Sequence, residues 1–182
     1  MDRIIAIVLL IFLSPVILIA LLITIIDLRC NPIFIQKRTL LGDEIFVFYK
    51  IRSMIKTAPV VPTAELLGAE KYITRWGKFL RSCSLDEILN LVCIVTGDMN
   101  FIGPRPIMEN EFELLKLRKQ NGIRSKPGIT GLAQINGRDL ISQQKKVACE
   151  RYYEYRKSSI QLRIFILLKT VEVVIKKSGI SH

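Results

Sequence analysis

The sequence predicts an α+β fold, mainly helical, with an N-terminal membrane helix, interfacial amphipathic helices and short β-hairpins. Three observations predict it. The chain is uncharged from Ile4 to Ile26, long enough for a membrane helix. Apolar residues recur at helical spacing over Lys71–Arg81 and run densely through Ile160–Ile175. Two β-rich runs, Ile33-Phe34-Ile35 and Ile45–Ile51, flank the turn signal Gly42-Asp43.

The apolar run comes first. Asp2-Arg3 before it is nearly neutral, and Arg29, Lys37 and Arg38 follow it. The positive-inside bias therefore places the body of the protein in the cytoplasm. Ser14-Pro15 sits mid-run, where proline removes a helical hydrogen bond and kinks the chain. A kinked helix of this length still reaches roughly 34 Å at about 1.5 Å per residue. The bend could instead return the chain to its own side, since neither half crosses a core of about 30 Å. Composition favours spanning, because membrane helices tolerate proline.

After the hairpin, Thr57–Lys71 contains Pro59, Pro62 and Gly68 and reads as a loop. Lys71–Arg81 sets Tyr72, Ile73, Trp76, Phe79 and Leu80 among basic residues, the pattern of an interfacial helix or of a surface helix on a core. Gly77 weakens either. Glu109–Asn121 has acids early, Lys116, Arg118 and Lys119 late, and Gly122 as a C-cap, matching the helix dipole. Tyr152–Lys157 is polar and helical. Ile160–Ile175 reads as either a second interfacial helix or a buried one.

A net charge of +11 accompanies a chain that is 50% hydrophobic. That pairing suits a protein with one face in lipid and another meeting anions. The lone histidine, His182, is the last residue, and none of the four cysteines forms a CxxC pair. A zinc site lacks its usual ligands, and no Ser-His or Cys-His nucleophile can form within the body. Carboxylates, Lys, Tyr or Cys must carry any chemistry.

Three segments offer that chemistry. Ser84-Leu85-Asp86-Glu87 reads first as a capping box, with Ser84 as cap and Glu87 closing it. The same geometry places Asp86 at a helix start, where a phosphate also binds and where Asp can attack phosphorus. Gly103-Pro104-Arg105-Pro106 stiffens the backbone around one guanidinium suited to bidentate phosphate contact. Lys126-Pro127-Gly128-Ile129-Thr130-Gly131 leads to Asn136-Gly137-Arg138. Its glycines could let amides cradle phosphate, or Asn136-Gly137 could turn a second hairpin.

Together these segments resemble the monotopic phosphoglycosyl transferases of the bacterial sugar transferase family, in their small single-domain form. The resemblance rests on Ser14-Pro15, Phe48-Tyr49-Lys50-Ile51-Arg52-Ser53-Met54, Arg81 with Ser84–Glu87, Gly97-Asp98-Met99, and the Gly103–Pro106, Lys126–Gly131 and Asn136–Arg138 segments. It implies a UDP-sugar donor, commonly an N-acetylated hexosamine, a polyprenol phosphate acceptor, and UMP release at the first membrane step of bacterial glycoconjugate synthesis. It implies Asp86 as nucleophile and Mg²⁺ ligand, with Glu87 beside it. The implied substrate-binding set is Lys50, Arg81, Arg105, Arg138 and Glu150, the last standing where Asp is usual. It also implies that Ser14 and Pro15 turn residues 1–28 back as a re-entrant membrane helix, against the compositional preference. Residues 29–182 then form a catalytic domain lying on the cytoplasmic face of the inner membrane, against phospholipid and within reach of downstream glycosyltransferases.

Two rivals remain from other classes. A membrane-tethered nucleic-acid binder would explain the charge, but the basic residues are dispersed and no nucleic-acid motif is present, so no nucleic-acid partner is expected. A catalytically inactive scaffold of a glycan assembly complex would not need the intact Asp86-Glu87 pair.

Overall fold

The computed structural model describes residues 1–59, 68–137 and 140–176. Helix α1 spans Asp2–Leu28 and is the one described helix long and apolar enough to cross a membrane, with a mean hydropathy of 3.2 over its most apolar window. Pro15 lies inside the unbroken helix. Its missing N–H leaves the Ile11 carbonyl without its usual partner, and the Ser14 hydroxyl donates to that carbonyl at 2.7 Å. Ser14 thus satisfies the group that Pro15 orphans.

One stripe of α1 packs on the body: Ala6, Ile17, Ala20 and Thr24 are buried. Small side chains there let the helix approach closely. Ala6 packs with Phe48, Leu91, Cys93, Ile94 and Met99, and Ala20 packs with Ile51 and Leu80. Polar ties hold both ends. Near the start, Asp2 accepts from the Phe101 amide at 3.4 Å and lies 3.7 Å from Arg163. Near the end, Trp76 Nε1 donates to Thr24 at 2.9 Å and the Thr74 hydroxyl donates to Asp27 at 2.6 Å. The opposite face, including Ile4, Val8, Ile11, Phe12, Leu18 and Ile26, is exposed.

The expected hairpin forms from β1, Ile33–Thr39, and β2, Ile45–Ile51, with Ile33 opposite Ile51 and Thr39 opposite Ile45. The loop expected over Thr57–Lys71 lies largely outside the described residues. The helix expected over Lys71–Arg81 is broken in two. A 3₁₀ turn covers Ala69–Tyr72, and α2 covers Arg75–Ser82. Between them Ile73 bridges to Met54, and Thr74 caps α2 by accepting from Gly77 N at 2.9 Å. Gly77 does not weaken this region. A Cβ there would sit 2.0 Å from the Ser53 carbonyl, so glycine is what lets α2 lie against that backbone.

A second 3₁₀ turn, Leu85–Asn90, runs into α3, Leu91–Thr96. Next come β3, Asn100–Ile102, and α4, Phe112–Gln120, three residues later than its sequence start. Strand β4, Gly128–Thr130, pairs with β3 in parallel, and α5, Leu132–Ile135, follows directly. The second hairpin expected at Asn136-Gly137 is absent: these residues close α5 instead. Within Lys126–Gly131 the Gly128 amide is taken up by the chain itself rather than left for a phosphate. Gly128 N donates to Pro104 O and Thr130 O accepts from Gly103 N, both at 2.9 Å. Gly128 serves close approach, since a Cβ there would meet Gly103 N at 2.0 Å.

The described chain ends in α6, Gln143–Arg156, and α7, Ile160–Ile175. Only Ile166 of α7 is fully buried, while Ile160, Ile164, Phe165, Leu168, Val171 and Ile175 are exposed. Among the described residues α7 is therefore not buried, and its outer face is an apolar stripe without a partner there.

Candidate active site

The site is built where the Leu85–Asn90 turn meets β2. Asn90, 1% exposed, joins them: its Oδ1 accepts from Tyr49 N at 3.0 Å and its Nδ2 donates to Glu87 O at 3.1 Å. Cys93 adds a contact from its thiol to Val47 O at 3.2 Å. These bonds hold Asp86 and Glu87 beside Lys50 of β2.

Ser84 does not cap the turn. It adopts φ 56°, in the left-handed region, and its side chain makes no cap bond. A non-glycine residue held there costs on the order of 1 kcal/mol, and such strain concentrates at functional sites. Nor does Glu87 close a capping box. Its Oε1 accepts from Lys50 Nζ at 2.9 Å and from Arg105 Nη2 at 3.0 Å, while Oε2 lies 3.5 Å from Arg105 Nη1. Carboxylate and cations compete better for one another than for a backbone amide.

Asp86 is 8% exposed. Burial pushes its carboxyl above the usual range; Lys50 pulls it back most, Glu87 pushes it up further, and Arg81 and Arg105 pull it down. The structure thus brings together Asp86, Glu87, Lys50, Arg81 and Arg105: two carboxylates and three cations. Lys50 also lies 5.4 Å from the centre of the buried Phe48 ring, which limits its freedom. Such a cluster can bind a dianionic phosphate and hold a partly desolvated carboxylate against it.

Arg138 lies outside the described residues. Glu150 is not in the cluster. It is 3% exposed on α6 and its carboxylate is taken by Arg118 of α4, with Arg118 Nε donating at 2.8 Å and Nη2 to the other oxygen. That bidentate pairing leaves it a structural carboxylate, not one presented to substrate. Sequence reading missed Asn90 and Arg118. A capping-box pattern drew attention to Ser84, and Arg118 passed as a last-turn charge.

Among the described residues no three His, Cys, Asp or Glu side chains gather to cage a metal. Mg²⁺ does not need such a cage, because it commonly takes one or two carboxylates and completes its shell with water and substrate phosphate. Asp86, with Glu87 already tied to Lys50 and Arg105, fits that mode as the protein ligand.

Comparison with known proteins covers nearly the whole chain. The bacterial sugar transferase model matches residues 1–177. The uncharacterized sugar transferase EpsL of Bacillus subtilis is 35% identical over 153 residues, covering 84% of this chain and 74% of its own. The undecaprenyl-phosphate galactose phosphotransferase of Salmonella typhimurium is 32% identical over 151 residues, which is 75% of this chain and 32% of that protein. The UDP-glucose:undecaprenyl-phosphate glucose-1-phosphate transferase of Xanthomonas campestris is 32% identical over 98% of this chain and 39% of its own length. The chain therefore spans most of the first relative but well under half of the other two. With a match running almost from end to end, the chain belongs to the bacterial sugar transferase family.

Proposed function

We propose that the protein moves a sugar 1-phosphate from a UDP-sugar to polyprenol phosphate and releases UMP. The observation that carries this reading is the buried Asp86 carboxylate set among Lys50, Arg81 and Arg105. Two anionic substrates must meet, and the cations lower their repulsion. The lipid phosphate is already ionised near neutral pH, so the harder step is breaking the donor's diphosphate. Asp86 attacks the sugar-bearing phosphorus, and UMP leaves. An oxygen of the lipid phosphate then attacks the same phosphorus and frees the carboxylate. Mg²⁺, where bound, offsets the charge that grows on the departing phosphate. Relatives are named for galactose and glucose, and the family resemblance adds N-acetylated hexosamines. A UMP-release assay with all three UDP-sugar types and undecaprenyl phosphate tests the reaction. No UMP with any donor overturns it.

The membrane reading rests on α1. Polar ties at both of its ends reach the same body, which supports a helix kept on one side of the membrane instead of one carrying its start to the far side. The exposed stripe of α7 supports a body resting on lipid, at the depth of a lipid phosphate.

The site also has a pH signature. Asp86 must be ionised to attack. Burial raises its pKa and Lys50 is the strongest opposing influence. Removing that charge leaves only the weaker pulls of Arg81 and Arg105 against the rise. In Lys50→Met the acid limb of the kcat/KM profile is therefore expected at higher pH than in the wild type. An unmoved limb, whatever its height, separates Lys50 from the ionisation of Asp86.

A further inference from the structure

The segment from Gly103 to Ile107 carries Arg105 to Glu87, yet Pro104 and Pro106 deprive it of two N–H donors. It is held instead by bonds at its ends. Gly103 N donates to Thr130 O at 2.9 Å, and Pro104 O accepts from Gly128 N at 2.9 Å. Ile107 exchanges bonds with Thr39, at 3.0 Å through its amide and 2.9 Å through its carbonyl. Between these anchors the Arg105 carbonyl accepts from Arg118 Nη2 at 2.8 Å. Arg118 also reaches the Leu40 carbonyl through Nη1 at 3.3 Å. Its two ties to Glu150 leave it 1% exposed, the most thoroughly buried charge among the described residues.

Buried ion pairs are weak contributors to stability, because desolvation cancels much of their attraction, and an apolar pair of similar volume often serves as well. The feature apolar side chains cannot replace is the planar fork. One guanidinium here binds a carboxylate on α6, a carbonyl in the β1–β2 turn and the carbonyl of the residue whose own guanidinium meets Glu87. Lysine has the charge but not that geometry.

We infer that Arg118, oriented by Glu150, is a positioning residue: it fixes the backbone of Arg105 so that the Arg105 guanidinium stands against Glu87 in the transfer step. This rests on the reading of Arg105 as a phosphate-stabilising group. A positioning residue acts through its target, so its effect should vanish when the target is gone. A merely structural residue would add its loss to any other.

The test uses the full chain in detergent or nanodiscs, with UMP release giving kcat and donor KM. Arg118→Lys and the paired Arg118→Met/Glu150→Met variants are made in the wild-type and Arg105→Ala backgrounds. Each is expected to unfold close to the wild-type temperature. Each should lose about tenfold in kcat with donor KM within about twofold. In the Arg105→Ala background neither should lose more. Hydrogen exchange at the Arg105 and Ile107 amides should speed up in Arg118→Lys. Wild-type kcat in the folded variants, or losses that multiply in the Arg105→Ala background, overturn the inference. Should the paired variant fail to fold, Arg118→Lys decides alone, since it keeps a charge opposite Glu150. Failure of the functional reading looks different: the wild type releases no UMP, or Arg105→Ala works at full rate. The exchange rates still report on positioning in that case, and unchanged rates overturn it.

Discussion

Asp86→Asn is expected to abolish turnover, with kcat down at least about a thousandfold, or roughly 4 kcal/mol of barrier. Asparagine keeps the shape and one acceptor of the side chain but cannot form the phosphodiester. Folding should survive, because the substitution removes a carboxylate that burial already disfavours in its charged form. Wild-type enzyme mixed with UDP-sugar alone should gain the mass of one sugar phosphate on the peptide containing Asp86, and full turnover should follow ping-pong kinetics. Asp86→Asn should show neither adduct nor turnover. Glu87→Gln keeps the nucleophile but loosens Lys50 and Arg105, so a slow trace of adduct should persist. Full activity in Asp86→Asn, or sequential kinetics with no adduct trapped, would leave the Leu85–Asn90 turn without a chemical role.

The second large effect concerns topology. Ser14→Ala with Pro15→Leu should move the N-terminus across the membrane. The introduced leucine restores the amide that reaches the Ile11 carbonyl, and loss of the Ser14 hydroxyl removes the bond that now substitutes for it. A straight apolar helix of this length is favoured as a span. An N-terminal tag should be protected from protease outside intact cells in the wild type and cleaved in the double variant. Cleavage in the wild type would show that α1 spans as composition alone suggests, and the ties at Asp2 and Thr24 would then need another setting.

What could be read in the sequence was local. The β1–β2 hairpin is carried by neighbouring residues and one turn, and the Asp86-Glu87 pair is contiguous. The bounds of α7 follow from a dense apolar run. The parallel β3–β4 ladder was not legible, because Gly103 and Gly128 meet only in the folded chain and no spacing rule links them. Asn90 and Arg118 were missed for the same reason. Their partners, Tyr49 and Glu150, are far away in sequence, and a polar residue bound for a buried network looks like any other surface polar residue. Ser84 shows the reverse failure. Its local pattern fits a cap so well that the left-handed conformation it adopts could not be anticipated.

The way α1 is held bears on how proteins of this kind can be handled and rebuilt. Its Ala6 and Ala20 cover Phe48, Ile94, Ile51 and Leu80, so the helix roofs two of the hydrophobic clusters of the body. A chain cut after Leu28 would not be a soluble enzyme freed from its anchor; it would be a body with its core uncovered, prone to aggregate. Exchanging the helix for a generic single-span anchor should fail similarly, because Ala6 and Ala20 are fully buried against the body and bulkier side chains there would overpack it. Anchor and enzyme here are one folding unit, and the two can be recombined or engineered only together.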